Sequence, residues 1–125
     1  MEKAAQFLTG RTIYSILHSG KTRAAQTAEI LNSNVLSKHG IMKKEGLSPN
    51  DPVDNWVEKL NADSEDLMIV GHLPFLSKLA GRLLGGKEKQ ELIAFQHAGI
   101  VCLERIEYFH WKIAWMVIPE LVNCP

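Results

Sequence analysis

The sequence has only two cysteines, no excess of charge of either sign and no long apolar run. Cys102 and Cys124 lack the spacing of metal ligands, and an intracellular protein would keep them reduced. The 14 basic and 14 acidic residues cancel, so no net field attracts nucleic acid or an anionic membrane. No stretch is long enough to span a bilayer, and no signal-peptide pattern opens the chain. We therefore predict a single cytoplasmic domain.

The stretch from Asp66 to Phe75 predicts a strand that leads directly into a helix. Leu67 to Val70 is a short apolar run between a charged residue and a glycine, which is typical of a strand buried on both faces in a parallel sheet. Pro74 fits the first helical turn, because its missing N–H would have no partner there. The helix shows apolar residues at helical spacing and then two glycines that end it: Leu76, Leu79, Ala80, Leu83, Leu84, Gly85 and Gly86.

His72 lies between this strand and this helix. Ligands of open α/β sheets bind outside the carboxyl ends of the strands, and a helix N-terminus favours anions. His72 is therefore a candidate anion-binding residue. The alternative is that it only caps the helix, and spacing alone does not separate the two readings.

A second junction of the same kind occurs earlier in the chain. Thr12 to Leu17 is rich in β-forming residues and predicts a strand. A short turn at Ser19 and Gly20 then leads into a helix of good helix formers. Arg23 falls in its first turn, where a cation opposes the helix dipole unless an anion lies nearby. The alternative is an ordinary surface arginine.

The rest of the chain predicts supporting structure. Glu2 to Leu8 indicates the end of an amphipathic helix, and Asn34 to Gly46 a polar connection. Asp51 is expected to cap a helix that Pro52 starts and that runs through Val53, Trp56, Val57 and Leu60. Gly99 to Ile106 and Trp111 to Ile118 are expected to form a hairpin. Together these elements predict a three-layer α/β/α domain with a mixed, mostly parallel sheet and a C-terminal antiparallel hairpin.

The residues at these two junctions, together with segments near the end of the sequence, resemble those of a known protein family. The residues are Ser19-x-x-x-Arg23-Ala24-x-Gln26-Thr27-Ala28-Glu29, then Ile69-Val70-Gly71-His72-Leu73-Pro74, then Phe95-x-x-x-Gly99-Ile100, Trp111-Lys112-Ile113-Ala114-Trp115 and Pro119-Glu120-Leu121. In this order and separation they resemble the histidine phosphatase (phosphoglycerate mutase-like) superfamily, most nearly its small bacterial phosphohistidine phosphatases. The likeness spans essentially the whole chain.

The resemblance implies a phosphate pocket and hydrolysis of a phosphohistidine or phosphomonoester. It implies catalytic roles for His72 and Arg23, which would contact the phosphoryl oxygens and stabilise their charge, and phosphate contacts from Ser19 and Leu73. The partner would be a phosphorylated protein or a small phosphomonoester, with no nucleic acid, membrane, metal or cofactor. Arginine suits such a site because its planar donors match two oxygens at once.

The sequence departs from this pattern at one point. The nucleophile of the family is a histidine in an Arg-His-Gly loop at the end of the first strand, and no Arg-His-Gly occurs in residues 1–125. We therefore expect a single domain, 1–125, that is truncated at its N-terminus, lacks the first strand and the nucleophile loop, and cannot complete the covalent mechanism.

Two alternatives remain open: a domain without a nucleophile that binds phosphate or a phosphorylated partner, and an α/β domain whose His72 and Arg23 are purely structural. We also expect Arg23 and His72 to converge at the carboxyl ends of neighbouring strands. A strand missing beside Leu67 to Val70 would leave unpaired strand edges and favour self-association.

Overall fold

The fold consists of short parallel strands with helices on both faces and a C-terminal hairpin. The computed structural model of the chain describes residues 5–63, 65–85, 100–107 and 110–117. Its elements in chain order are β1 (Thr12–Ile13), β2 (Ser15–His18), α1 (Thr22–Asn32), β3 (Leu36–Ser37), β4 (Ile41–Lys43), α2 (Asp54–Ala62), β5 (Leu67–Val70), α3 (Phe75–Leu83), β6 (Ile100–Glu107) and β7 (His110–Val117). The predicted α/β architecture with parallel pairing and an antiparallel hairpin is confirmed.

The middle strand of the main sheet is β2, which pairs in parallel with β4 on one side and β5 on the other. All four of its residues are buried. The predicted strand over Thr12 to Leu17 is interrupted at Tyr14, because the chain changes partners there: β1 pairs with β3, and β2 with β4 and β5. The strand also runs one residue further than predicted, to His18.

The strand β5 is less enclosed than its apolar sequence predicts. Only Val70 is buried, while the three residues before it are half-buried. The reason is position: β5 lies at one end of the three-stranded sheet, and none of the described residues pairs with its outer edge. An unbroken apolar run shows that both faces of a strand are covered, but not whether both edges are paired.

Alternation along β2 and β5 divides the core into two clusters. Ile16 and Val70 point to one face, where they pack with Ala24, Ala28 and Leu31 of α1. On the other face Leu17 packs with residues of α2 and α3, among them Trp56, Val57, Phe75, Leu79 and Leu83. Helices on both sides of a sheet make the three predicted layers.

Two predictions for the middle of the chain are corrected. The helix α2 starts at Asp54 rather than at Pro52, and the Asp51 carboxylate does not cap it. Instead, Asp51 Oδ2 accepts a hydrogen bond from the Ser48 amide at 2.8 Å and closes a tight turn before the helix. The connection after Asn34 contains β3 and β4, which are only two and three residues long. Strands this short carry almost no sequence pattern, because tertiary pairing decides them.

The hairpin is fastened to the C-terminal end of α2. Arg105 Nη1 donates to the Leu60 carbonyl at 3.3 Å and also to the Asn61 carbonyl, so a cation binds carbonyls at the negative end of the helix. The Trp111 indole N–H donates to Asn61 Oδ1 at 2.9 Å. Asn61 itself is 2% exposed. These bonds link β6 and β7 to the layer formed by α2 and α3.

Some predicted features lie outside the described residues: residues 1–4 of the N-terminal helix, Gly86, Phe95, Gly99, Ile118, Pro119, Glu120, Leu121 and Cys124. The described part of the predicted N-terminal helix is a 3-10 turn over Gln6–Leu8, with Ala5 and Leu8 buried. Among the helices that the structure describes, none has the length and apolarity to cross a bilayer.

Replacement of Asn61 should loosen the whole domain. Asn61→Ala leaves the Trp111 N–H without its acceptor in a desolvated position, and a lost buried partner costs about 1–3 kcal/mol. We expect the free energy of unfolding in urea, followed by tryptophan fluorescence, to fall by that amount. Asn55→Ala, the same change at an exposed position of the same helix, should change it by less than about 0.5 kcal/mol. Equal effects at the two positions would contradict the anchoring role of Asn61.

Candidate functional site

The two strand-to-helix junctions lie side by side. In the parallel pairing of β2 with β5, His18 is in register with Val70, so both strands end at the same edge of the sheet. Ser19 directly follows β2, and His72 follows β5 after Gly71. Ser19 Oγ and His72 Nε2 are 2.7 Å apart, a short hydrogen bond between residues 53 positions apart in the sequence. This bond joins the two predicted motifs.

The loop after β2 is held by its own polar atoms. The Gly20 N–H donates to His18 Nδ1 at 3.0 Å, and the Lys21 N–H lies 3.4 Å from Ser19 Oγ. Gly20 has φ +88°, a left-handed conformation that glycine adopts without strain. The loop thus turns sharply from β2 into α1 and presents Ser19 toward His72.

Arg23 is the second residue of α1, and its side chain is exposed. No side chain among the described residues caps the N-terminus of this helix. Within the same part of the chain, the Arg23 guanidinium makes no hydrogen bond or ion pair. A cation in a first helical turn is unfavourable on its own. An anion bound at this edge would compensate both the cation and the open helix end.

His72 is half-buried and held by its backbone. Its carbonyl accepts a hydrogen bond from the Leu76 N–H at 2.9 Å, which ties the loop to the first turn of α3. Burial, together with the positive charge of Lys21, lowers the pKa of His72 below its usual value. Both effects favour the neutral ring, which can donate one hydrogen bond and accept another.

The Leu73 side chain is about half exposed beside His72, whereas Phe75, two residues later, is fully buried. Pro74 follows Leu73 through a cis peptide bond. It was predicted to lie in the first turn of α3, but it occupies the N-cap position, one residue before the helix begins at Phe75. The buried Phe75 thus anchors a loop whose preceding residues face solvent. Ser19, His72 and Leu73 lie on the two loops at this edge, and Arg23 lies in the first turn of the helix that follows the Ser19 loop.

His18 is a site residue that the sequence analysis missed. It is buried at the carboxyl end of β2, which the β-forming pattern placed one residue earlier. Its Nδ1 accepts the Gly20 N–H, so in the neutral ring the proton is on Nε2. A protonated Nε2 is a hydrogen-bond donor and not a nucleophile. His18 Nδ1 therefore helps to hold the turn at Gly20.

The described residues include no group of three or more His, Cys, Asp or Glu side chains that could hold a metal ion. Cys102 lies half-buried in β6, and burial raises the pKa of its thiol. A raised pKa disfavours the thiolate that metal binding requires. The described polar groups at this edge include the Ser19 hydroxyl, the Arg23 guanidinium and the His72 ring.

A scan against models of protein families and a search of curated proteins return no match. A search of solved structures finds the structure of the protein histidine phosphatase SixA complexed with tungstate. The TM-score is 0.71 at 18% sequence identity, and the alignment covers 98% of this chain and 80% of that chain. The chain therefore has a SixA-like histidine phosphatase fold, which confirms the predicted resemblance at the level of fold.

The charge of Lys21 should be visible in the titration of His72. Lys21→Met removes a positive charge that disfavours the imidazolium, so the pKa of His72 should rise toward about 6.5, the value of an unperturbed histidine. The ring-proton chemical shifts, followed by NMR against pH, measure it. Lys38→Met removes an exposed lysine from the opposite edge of the sheet and should leave the titration unchanged. A pKa that falls in Lys21→Met would show that the sign of this coupling is wrong.

Proposed function

We propose that this domain recognises the phosphoryl group of a phosphohistidine or another phosphomonoester, in the manner of a histidine phosphatase. Ser19, Arg23, His72 and Leu73 form the site, and Arg23 and His72 have the charge-stabilising role. The observation that carries the proposal is the 2.7 Å contact between Ser19 Oγ and His72 Nε2. It joins two anion-favouring junctions in one site.

The arrangement suits an oxyanion for electrostatic reasons. Phosphoryl groups are bound and transferred by positioned donors and cations, because the charge spreads over the equatorial oxygens. Arg23 offers a planar fork of donors and is not engaged by any described residue. His72 is poised to change its charge: a bound dianion favours the imidazolium, so ligand binding raises the pKa that burial has lowered.

Binding without turnover is the activity that we propose for this chain. No Arg-His-Gly occurs in its 125 residues, and the His18 ring carries its proton on Nε2 in the neutral form. We assign Arg23 and His72 to charge stabilisation, and we assign no described residue of this edge the role of the family's nucleophilic histidine. A histidine phosphatase fold used for binding is the alternative that this observation favours over hydrolysis.

The proposed ligand is a phosphorylated protein or a small phosphomonoester. The SixA structure supports the former, because SixA is a protein histidine phosphatase and the tungstate in its complex is a tetrahedral oxyanion like phosphate. The short loops of the described edge leave it open to solvent, as Arg23 and Leu73 show. An open site can accept a phosphoryl group on a macromolecule.

The outer edge of β5 supports a further partner, a second copy of the chain. The hairpin forms a sheet of its own, and no described strand pairs with this edge of β5. Unpaired strand edges expose N–H and C=O groups that pair readily with another strand. We propose that the isolated chain self-associates through this edge.

Binding of inorganic phosphate or tungstate should depend on the two charge-stabilising residues. Arg23→Ala and His72→Ala should each weaken binding, measured by calorimetry or NMR, by about tenfold or more, since a hydrogen bond to a charged group contributes about 1.5–3 kcal/mol. The affinity of Arg23→Lys should lie between those of the wild type and Arg23→Ala, because lysine keeps the positive charge but lacks the planar pair of donors. His110→Ala, at an exposed histidine of the hairpin, is the matched control and should bind normally.

The same proteins should show no hydrolysis of a generic aryl phosphate above background. We assign the described residues of the site to binding and charge stabilisation, and none of them to nucleophilic attack. Turnover that persists in Arg23→Ala and His72→Ala would show that other residues carry the chemistry, and the proposed site would then be wrong.

Sedimentation velocity tests self-association. We expect the sedimentation coefficient of the isolated chain to increase with concentration, or the protein to aggregate. A species that stays monomeric over a hundredfold concentration range and unfolds cooperatively well above room temperature would rule out pairing through β5.

A further inference from the structure

A third loop reaches the same edge of the sheet, and the sequence motifs do not include it. The strand β4 ends at Lys43, which is in register with His18 of β2. The next amide, that of Lys44, donates to the His18 carbonyl at 2.9 Å. With the strand order β4, β2, β5, Lys43 therefore lies on the side of the Ser19 loop opposite His72.

The Lys43 side chain lies directly over Gly20. A Cβ added to Gly20 would meet Lys43 Cδ at 2.9 Å and Cγ at 3.1 Å, and Cε closer still. Real Cβ atoms essentially never come within 3.0 Å of another non-bonded heavy atom, and 3.1 Å is an unusually tight contact, so the lysine stem occupies the space that a side chain at position 20 would take. The Lys43 stem therefore lies over Gly20, within the loop that carries Ser19.

The charge around this loop is uncompensated in the part of the chain that the structure describes. Lys21, Arg23 and Lys43 are all exposed, and none forms an ion pair there. The described ion pairs join other residues, such as Lys59 with Asp63 and Arg82 with Asp54. In a protein with no net charge, one edge therefore collects cations, and such an edge attracts anions carrying more than one charge.

We infer that Lys43 binds a second anionic group of the ligand, next to the phosphoryl group held by Ser19, Arg23 and His72. This inference rests on the proposed function and narrows its ligand class. The ligand is a phosphoryl compound with another anion close by, either a small diphosphate or a phosphorylated side chain beside a carboxylate. Lys43 acts as a point charge on a stem that lies over Gly20. Arg23 supplies the planar guanidinium, whose N–H donors are directional.

The test compares inorganic phosphate with pyrophosphate on wild-type protein and on Lys43→Met. Methionine keeps an unbranched stem over Gly20 and removes only the charge. Wild-type protein should bind pyrophosphate about three- to tenfold more tightly than phosphate, in line with an added ion pair and charge-assisted hydrogen bonds. Lys43→Met should remove most of that preference and change phosphate binding by less than twofold.

Lys38→Met is the matched control, because Lys38 is an exposed lysine at the other end of β4. It loses the same charge and should keep the full preference for pyrophosphate. Two peptides then separate the sources of the second anion: a phosphoserine followed by glutamate, and the same peptide with glutamine. A Lys43-dependent preference for the glutamate peptide identifies a protein ligand, and its absence alongside a pyrophosphate preference identifies a small diphosphate.

Failure of the inference and failure of the proposed function give different results. If phosphate binds and Arg23→Ala abolishes its binding, but Lys43→Met keeps the pyrophosphate preference, the role of Lys43 is overturned and the proposed function stands. An equal loss of affinity for phosphate and pyrophosphate in Lys43→Met would also overturn the role of Lys43, since the lysine would then act only through its general electrostatic field. If wild-type protein binds neither anion, the proposed function and this inference both fail.

Discussion

The parallel pairing of β2 with β5 determines where every candidate site residue lies. Its register sets His18 beside Val70, so Ser19, one residue further along, and His72, two residues further along, meet within hydrogen-bond distance. A shift by one residue would exchange the faces of the strand. It would bury the wrong side chains in both core clusters. The burial of Ile16 on one face and Leu17 on the other therefore protects the geometry of the site.

The site is built from loops that are anchored from below. Phe75 is fully buried beneath the His72 loop, and Ala24 is buried beneath the Ser19 loop. Between these anchors the exposed groups are a hydroxyl, an imidazole and several cations. Rigid support under polar, exposed groups is what binding sites in α/β proteins require, because the sheet fixes the loops while the loops carry the chemistry.

Much of the fold and part of the site could be predicted from the sequence. The apolar spacing of α3 and the alternation of the hairpin strands are local signals, and both elements appear where they were predicted. The motifs around Arg23 and His72 also fall at strand-to-helix junctions. The start of α2 was mispredicted because Asp51 found a different partner, the Ser48 amide, and propensity does not distinguish two turns that compete for one carboxylate.

The features that sequence could not supply depend on register across the sheet. Nothing near Lys43 in the chain indicates that it would lie over Gly20, 23 positions earlier. Likewise, His18 became part of the site only because β2 extends by one residue. The half-burial of β5 also depends on its position in the sheet. An apolar run indicates that the faces of a strand are covered but does not indicate whether its edges are paired.

The attachment of the hairpin to α2 links the local openings of two elements. Arg105 binds carbonyls in the last turn of α2, and Trp111 binds the buried Asn61 of the same turn. When the hairpin detaches, that turn loses its capping cation and its side-chain partner together, so its amides become free to fray. The amides of β6 and those at the end of α2 are therefore expected to open together and to exchange their hydrogens as one cooperative unit.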